Sequence, residues 1–140
     1  MRRLMVVFLG GLTLTACNNE LAGTVQVTHA GQTWSVLPNQ CNSGQRQGFF
    51  GVDAREGDSD DKLVRVIHDP TASYILRLDV PGSDQHVNLP GGQGCSTFDI
   101  VVERQNSSIN EVTNVRGHIR VTCDLPDLKV HADITFANCH

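Results

Sequence analysis

Between Val115 and Phe136 the chain reads as two runs in which apolar and polar residues alternate one for one. Val115, Gly117, Ile119, Val121 and Cys123 fall on one face, opposite Asn114, Arg116, His118, Arg120 and Thr122; Val130, Ala132, Ile134 and Phe136 share the next. Successive side chains on an extended strand point to opposite sides, so this period lets a strand bury one face and wet the other. The period recurs at 24–28, 33–36, 74–80 and 97–104, with shorter runs at 47–53, 62–68 and 85–89. Turn formers separate the runs: Asn42-Ser43-Gly44, the stretch 56–61, Asp69-Pro70, Pro81-Gly82-Ser83, Pro90-Gly91-Gly92 and Asp124-Leu125-Pro126-Asp127. No long window shows a helical period. About eight or nine short strands at this spacing predict an all-β fold, an antiparallel β-sandwich or a small barrel.

A length of 140 residues suits one domain. At 39% hydrophobic and 19% charged, the composition belongs to a folded domain rather than a disordered chain. The net charge of -4 and the 5% aromatic content argue against nucleic acid as a partner, because phosphate contacts need a basic surface.

The N-terminus is built differently. Arg2 and Arg3 precede an apolar run from Leu4 to Leu14, which is too short to span a bilayer but has the length of a signal-peptide core. Leu14-Thr15-Ala16-Cys17 then resembles the bacterial lipobox, where a signal peptidase cuts before a cysteine that carries lipid. The resemblance implies a signal peptide over 1–16, a lipidated Cys17 with a short tether over 17–22, and a single all-β domain over 23–140. It also implies a membrane partner through the lipid, since several acyl chains hold far better than one. Position 18 is Asn rather than the Asp that retains such proteins in the inner membrane, which implies the outer membrane. Without Arg2 and Arg3 the mature chain has 11 − 2 = 9 basic residues against 15 acidic, a net of -6. A surface of that net charge would not be drawn to anionic headgroups, so the anchor is expected to be the lipid. A tether from Asn18 to Ala22 reaches under about 20 Å.

With Cys17 set aside, Cys41, Cys95, Cys123 and Cys139 remain, an even number suited to two disulfides in an oxidising compartment. Register narrows their pairing. A turn at Asp124–Asp127 sets Val121 against Val130, Ile119 against Ala132, Gly117 against Ile134 and Val115 against Phe136. Cys139 then lies roughly 36 Å along the strand from the residue opposite Cys123, far beyond bridging distance. A second hairpin around a polar loop over 105–114, centred near Ser108 and Ile109, brings Cys95 opposite Cys123. The expected bridges are Cys95–Cys123 and Cys41–Cys139.

Few residues suggest chemistry. Asp58, Asp60 and Asp61 form the densest acidic cluster, but they lack the ligand spacing of a calcium loop and read as a solvated turn. The histidines at 29, 68, 86, 118, 131 and 140 show no zinc-type spacing. His118 and His131 are expected on the outer face of the last hairpin, opposite Asp133 and Arg120, and the terminal His140 is expected to fray. No nucleophile elbow or phosphate loop occurs. Trp34, Phe49, Phe50 and Tyr74 read as core, but Phe49 and Phe50 stand out, because neighbours on a strand face opposite ways and one can meet solvent unless a bulge intervenes. An exposed phenylalanine would suit a partner.

These features predict a membrane-anchored envelope lipoprotein that works as a non-enzymatic binding or structural module, with no catalytic residue, cofactor or metal site. The alternatives are a tethered carrier of a small ligand or metal, and an inhibitor or assembly factor of another envelope protein.

Overall fold

The computed structural model describes residues 19–58 and 60–140. Cys17, the expected lipidation site, lies outside the described residues. Ten strands form there: β1 Glu20–His29, β2 Gln32–Val36, β3 Gln40–Ser43, β4 Gly51–Arg55, β5 Leu63–Asp69, β6 Ser73–Asp79, β7 His86–Pro90, β8 Cys95–Ile109, β9 Val112–Leu125 and β10 Leu128–Cys139. They make two antiparallel five-stranded sheets, ordered β2-β1-β10-β9-β8 and β3-β4-β5-β6-β7. The fold is a sandwich rather than a barrel. β1 begins at Glu20, so Glu20–Ala22 belong to the sheet and not to the expected tether.

The sheets pack together. Following the chain from Cys41 to Phe50, Cys41 accepts from Asn19 at the start of β1 and bridges to Cys139 at the end of β10. Gln45 then meets Thr113 on β9, and Phe50 lies under Arg104 of β8. The chain from β3 to β4 thus runs past the strand ends of the first sheet, and the inner faces of the two sheets form one core. The core shows the expected period. Val52, Val66, Leu76 and Leu89 form one inward row across the second sheet, and Ile134, Ile119 and Ile100 form another across the first. All seven are buried, each stabilising the fold by about 1.5–3 kcal/mol by leaving water.

The final hairpin differs from expectation by two residues. Val130 faces Cys123, Ala132 faces Val121, Ile134 faces Ile119 and Phe136 faces Gly117. The turn uses only Pro126 and Asp127, so both strands run further than a four-residue turn allows. A shift of two preserves which face each side chain takes, so the buried set is unchanged. Gly117 opposite Phe136 has a reason: a Cβ there would overlap the Val101 carbonyl oxygen and press on the Phe136 ring.

The polar segment 105–114 is not a loop. β8 and β9 continue through it to a tight turn at Asn110 and Glu111, whose positive φ values of 49° and 66° suit a two-residue hairpin. Bulges at Cys95/Thr97 and Arg104/Ser108 take up the register, and Cys95 still faces Cys123. The short β3, followed by the 3-10 helix Gly44–Gln47, replaces the turn expected at Asn42–Gly44.

Candidate functional site

Both expected disulfides form. Cys41–Cys139 has a Cα separation of 5.1 Å and Cys95–Cys123 one of 4.1 Å. The second is a direct cross-strand bridge that fastens edge strand β8 to β9. The first ties the two sheets at the end where β1 begins.

The Phe49–Phe50 pair sits in the bend between the 3-10 helix and β4. The two rings lie outside any strand, and each is half-buried with an arginine over it. Arg65 lies 4.9 Å from the Phe49 centroid and Arg104 lies 4.6 Å from that of Phe50, both within cation–π range. Neither ring is a bare apolar contact for a partner. Leu37, 56% exposed, is the only large apolar side chain among the described residues that is. Phe49 lies against Gly44, where a Cβ would run into its ring. Phe50 continues through His68, 5.9 Å away, to Tyr74 at 5.6 Å, both edge-on.

The two arginines differ. Arg65 donates Nε and Nη2 to both carboxylate oxygens of Asp53 at 2.7 Å, and Asp53 is only 6% exposed. This fork is the centre of an outward row, Asn42–Asp53–Arg65–Arg77–Asn88, that crosses all five strands of the second sheet. Arg104 has no carboxylate partner among the described residues. It is exposed and lies on the ring alone, so its five donors stay open on the side away from Phe50.

Between these groups lies a cleft of about 160 Å³, lined by Ser43, Gln45, Phe49, Phe50, Arg104 and Thr113 among others. Gln45 fixes its far wall, donating to the Glu111 carbonyl at 3.2 Å and accepting from the Thr113 amide at 3.0 Å. Arg104 also lines an adjoining groove of about 310 Å³ with Gln105, Asn106, Ser107 and Arg116. A rigid strand end thus presents one open guanidinium between two concavities. A larger hollow of about 440 Å³ on the outer face of the first sheet is lined by Gln26, Thr28, Thr33, Ser35, Lys129 and His131 among others. Several of its polar groups satisfy one another: Thr28 with Thr33 at 3.0 Å, and Lys129 with Asp124 at 3.6 Å.

The histidines find other partners than expected. His118 Nε2 lies 2.8 Å from Asp99 on β8, and the residue opposite it on β10 is Thr135. His131 faces Thr122 at 3.4 Å, while Asp133 pairs with Arg120. The two-residue shift in the hairpin accounts for each exchange. His140 is not frayed: Asn42 Nδ2 donates to its backbone oxygen at 2.8 Å. In the acidic turn, Asp58 accepts from Gln40 at 2.9 Å, and Ser59 lies outside the described residues. Among the described residues no group of three or more His, Cys, Asp or Glu is placed to hold a metal. Glu56 has its carboxyl below the ordinary value of 4.5, chiefly because the Leu37 amide donates to it and secondarily through Lys62.

Arg104 escaped the sequence reading, although its signal was present. Phe98, Ile100 and Val102 point inward, and Arg104 continues that parity, so a charge stands where the pattern calls for an apolar residue. Fold and site define a disulfide-braced antiparallel β-sandwich with an arginine-capped aromatic end. Comparison with known proteins finds no matching family model, no matching curated protein and no matching solved structure.

Proposed function

We propose that this chain is a lipid-anchored lipoprotein of the cell envelope, placed in the outer membrane, and that its sandwich is a non-enzymatic binding module. Arg2-Arg3, the apolar run and Leu14-Thr15-Ala16-Cys17 support the anchor. The observation that carries the binding reading is the open Arg104 guanidinium, pre-positioned by Phe50 between two concavities. A guanidinium held by a ring rather than a carboxylate keeps its recognition capacity and has already lost part of its side-chain entropy. A cleft of about 160 Å³ is well under the ~300–1,000 Å³ of sites that enclose a small molecule. That size favours a contact with a group on a larger partner over a carrier of free ligand.

Replacing Cys17 tests the anchor. The Cys17→Ser chain should lose the mass of the lipid and move out of the membrane fraction. A variant that keeps both refutes the lipoprotein reading. For the binding reading, Arg104→Gln should reduce recovery of cross-linked envelope components with the protein. Unchanged recovery refutes the assignment to this cleft.

A further inference from the structure

The cleft lies beside the point where the chain leaves the fold. Asn19 Nδ2 donates to the Cys41 carbonyl at 2.8 Å, and Ser43, two residues further along β3, lines the cleft. Only Asn18 separates Asn19 from Cys17. Two residues span at most about 7 Å. A lipid on Cys17 would therefore bring this end of the sandwich against the bilayer.

The distribution of cations singles out the same end. Lys62, Arg65, Arg77, Arg116, Arg120 and Lys129 each have an acidic partner, and Arg55 donates to Asn42. Arg104 and Arg46 have no carboxylate partner among the described residues. Arg46 is exposed on the 3-10 helix whose neighbouring residue Gln45 lines the cleft. The mature chain's net 9 − 15 = -6 gives it no overall attraction to an anionic leaflet, so its approach depends on the anchor. What the end offers is local: guanidinium forks, which match phosphate oxygens in charge and geometry.

We propose that the cleft between the 3-10 helix and the β8–β9 hairpin receives the phosphate of a phospholipid headgroup on Arg104, with the exposed Arg46 of the 3-10 helix meeting a neighbouring headgroup outside it. The 3-10 helix and the hairpin tip then form the membrane-facing end of the domain. The proposal rests on the lipid anchor, because the two-residue tether is what holds the cleft at headgroup depth.

The test uses the mature protein in nanodiscs of phosphatidylethanolamine and phosphatidylglycerol, with its intact mass measured first. Amide hydrogen exchange is compared with the same protein in a phosphate-free non-ionic detergent. Exchange should slow over 44–50 and 107–113 in the nanodisc, and the slowing should be lost in Arg46→Gln/Arg104→Gln. The exposed Arg46→Gln alone gives a partial loss in a fold it cannot disturb. Slowing confined to the opposite end, around 29–32 and 124–128, overturns the proposal, and so does slowing that the double variant retains. Inorganic phosphate added to the detergent sample separates the two sources of the anion: slowing by free phosphate with none in the nanodisc overturns the headgroup assignment. A mature mass without lipid instead refutes the anchor, and the same protein with added vesicles then reports on the cleft alone.

Discussion

Asp53 shows how much a single side chain can organise. It lies on the outward face of its strand, yet it is buried, because Arg65 forks onto both of its oxygens and Phe49 closes over the fork. Asp53→Ala takes the carboxylate away from that guanidinium in a partly dehydrated place. We expect a loss of about 2–3 kcal/mol in chemical denaturation, below the range for a fully buried pair because Arg65 is about one-fifth exposed. The double variant Asp53→Ala/Arg65→Ala should cost less than the sum of the singles. Gly44→Ala is a steric test, since its Cβ would occupy the place of the Phe49 ring. It should destabilise by about 1–3 kcal/mol and shift the Phe49 ring resonances. Glu56 supplies a pH dependence. Its folded pKa is lowered by the Leu37 amide and Lys62, so its contribution is fully present above the unfolded value and is lost as pH falls through the folded one. Melting temperature should fall less steeply below pH 4.5 in Glu56→Gln than in the parent.

Two bulges decide the geometry of the site at the level of strands. Along β10 the inward residues are 128, 130, 132, 134 and 136, so simple alternation would turn Cys139 outward. An irregularity after Phe136, with Asn138 at φ 56°, inserts one residue and sets Cys139 opposite the buried Val115, where it reaches Cys41. The bulge in β8 holds it in place. Gln105 accepts from the Asn138 amide at 2.8 Å and donates to the Asn138 side chain at 3.1 Å, so an irregularity in one strand satisfies that in another. Asn tolerates the left-handed conformation that a β-branched residue resists. Asn138→Val should therefore destabilise the domain by about 1–3 kcal/mol. It should also raise the fraction of free Cys41 and Cys139 thiols after oxidative refolding. Normal bridge yield in that variant would show that the bulge forms without Asn138.

For the molecule as a whole the bridges have unequal leverage. Cys41–Cys139 spans 98 residues and Cys95–Cys123 spans 28. In the chain-entropy account the first constrains the unfolded chain by about 4.7 kcal/mol and the second by about 3.6. The paired alanine variant at 41 and 139 should thus be the less stable of the two by roughly 1 kcal/mol. A larger loss at 95 and 123 would mean that fastening the edge strand β8 outweighs loop length. A third measurement concerns calcium. If the acidic turn is only a turn, millimolar Ca²⁺ leaves the melting temperature unchanged, because any ligand confined to the folded state must raise it.

Much of this architecture is legible in the residues themselves. Alternation is a local property, so the inward sets of β1, β5, β6, β9 and β10 follow from the order of apolar and polar residues. A register error of two residues leaves those sets untouched and still keeps Cys139 far along the strand from Cys123, so the pairing could be read although the last hairpin was displaced. The strand character of 105–114 could not, since nearly every residue there is polar and an exposed edge strand carries no apolar signal. Nor could β3, four residues long, whose place is set by the sheet it borders. The site belongs wholly to the tertiary structure. Phe49, Phe50, Arg65 and Arg104 come from three separate stretches of chain: strand pairing within the second sheet sets Arg65 over Phe49, and the packing of the two sheets sets Arg104 over Phe50. Local sequence determines which face a side chain takes; which distant side chain it meets there depends on how bulges, sheet packing and a long disulfide bring remote strand ends together.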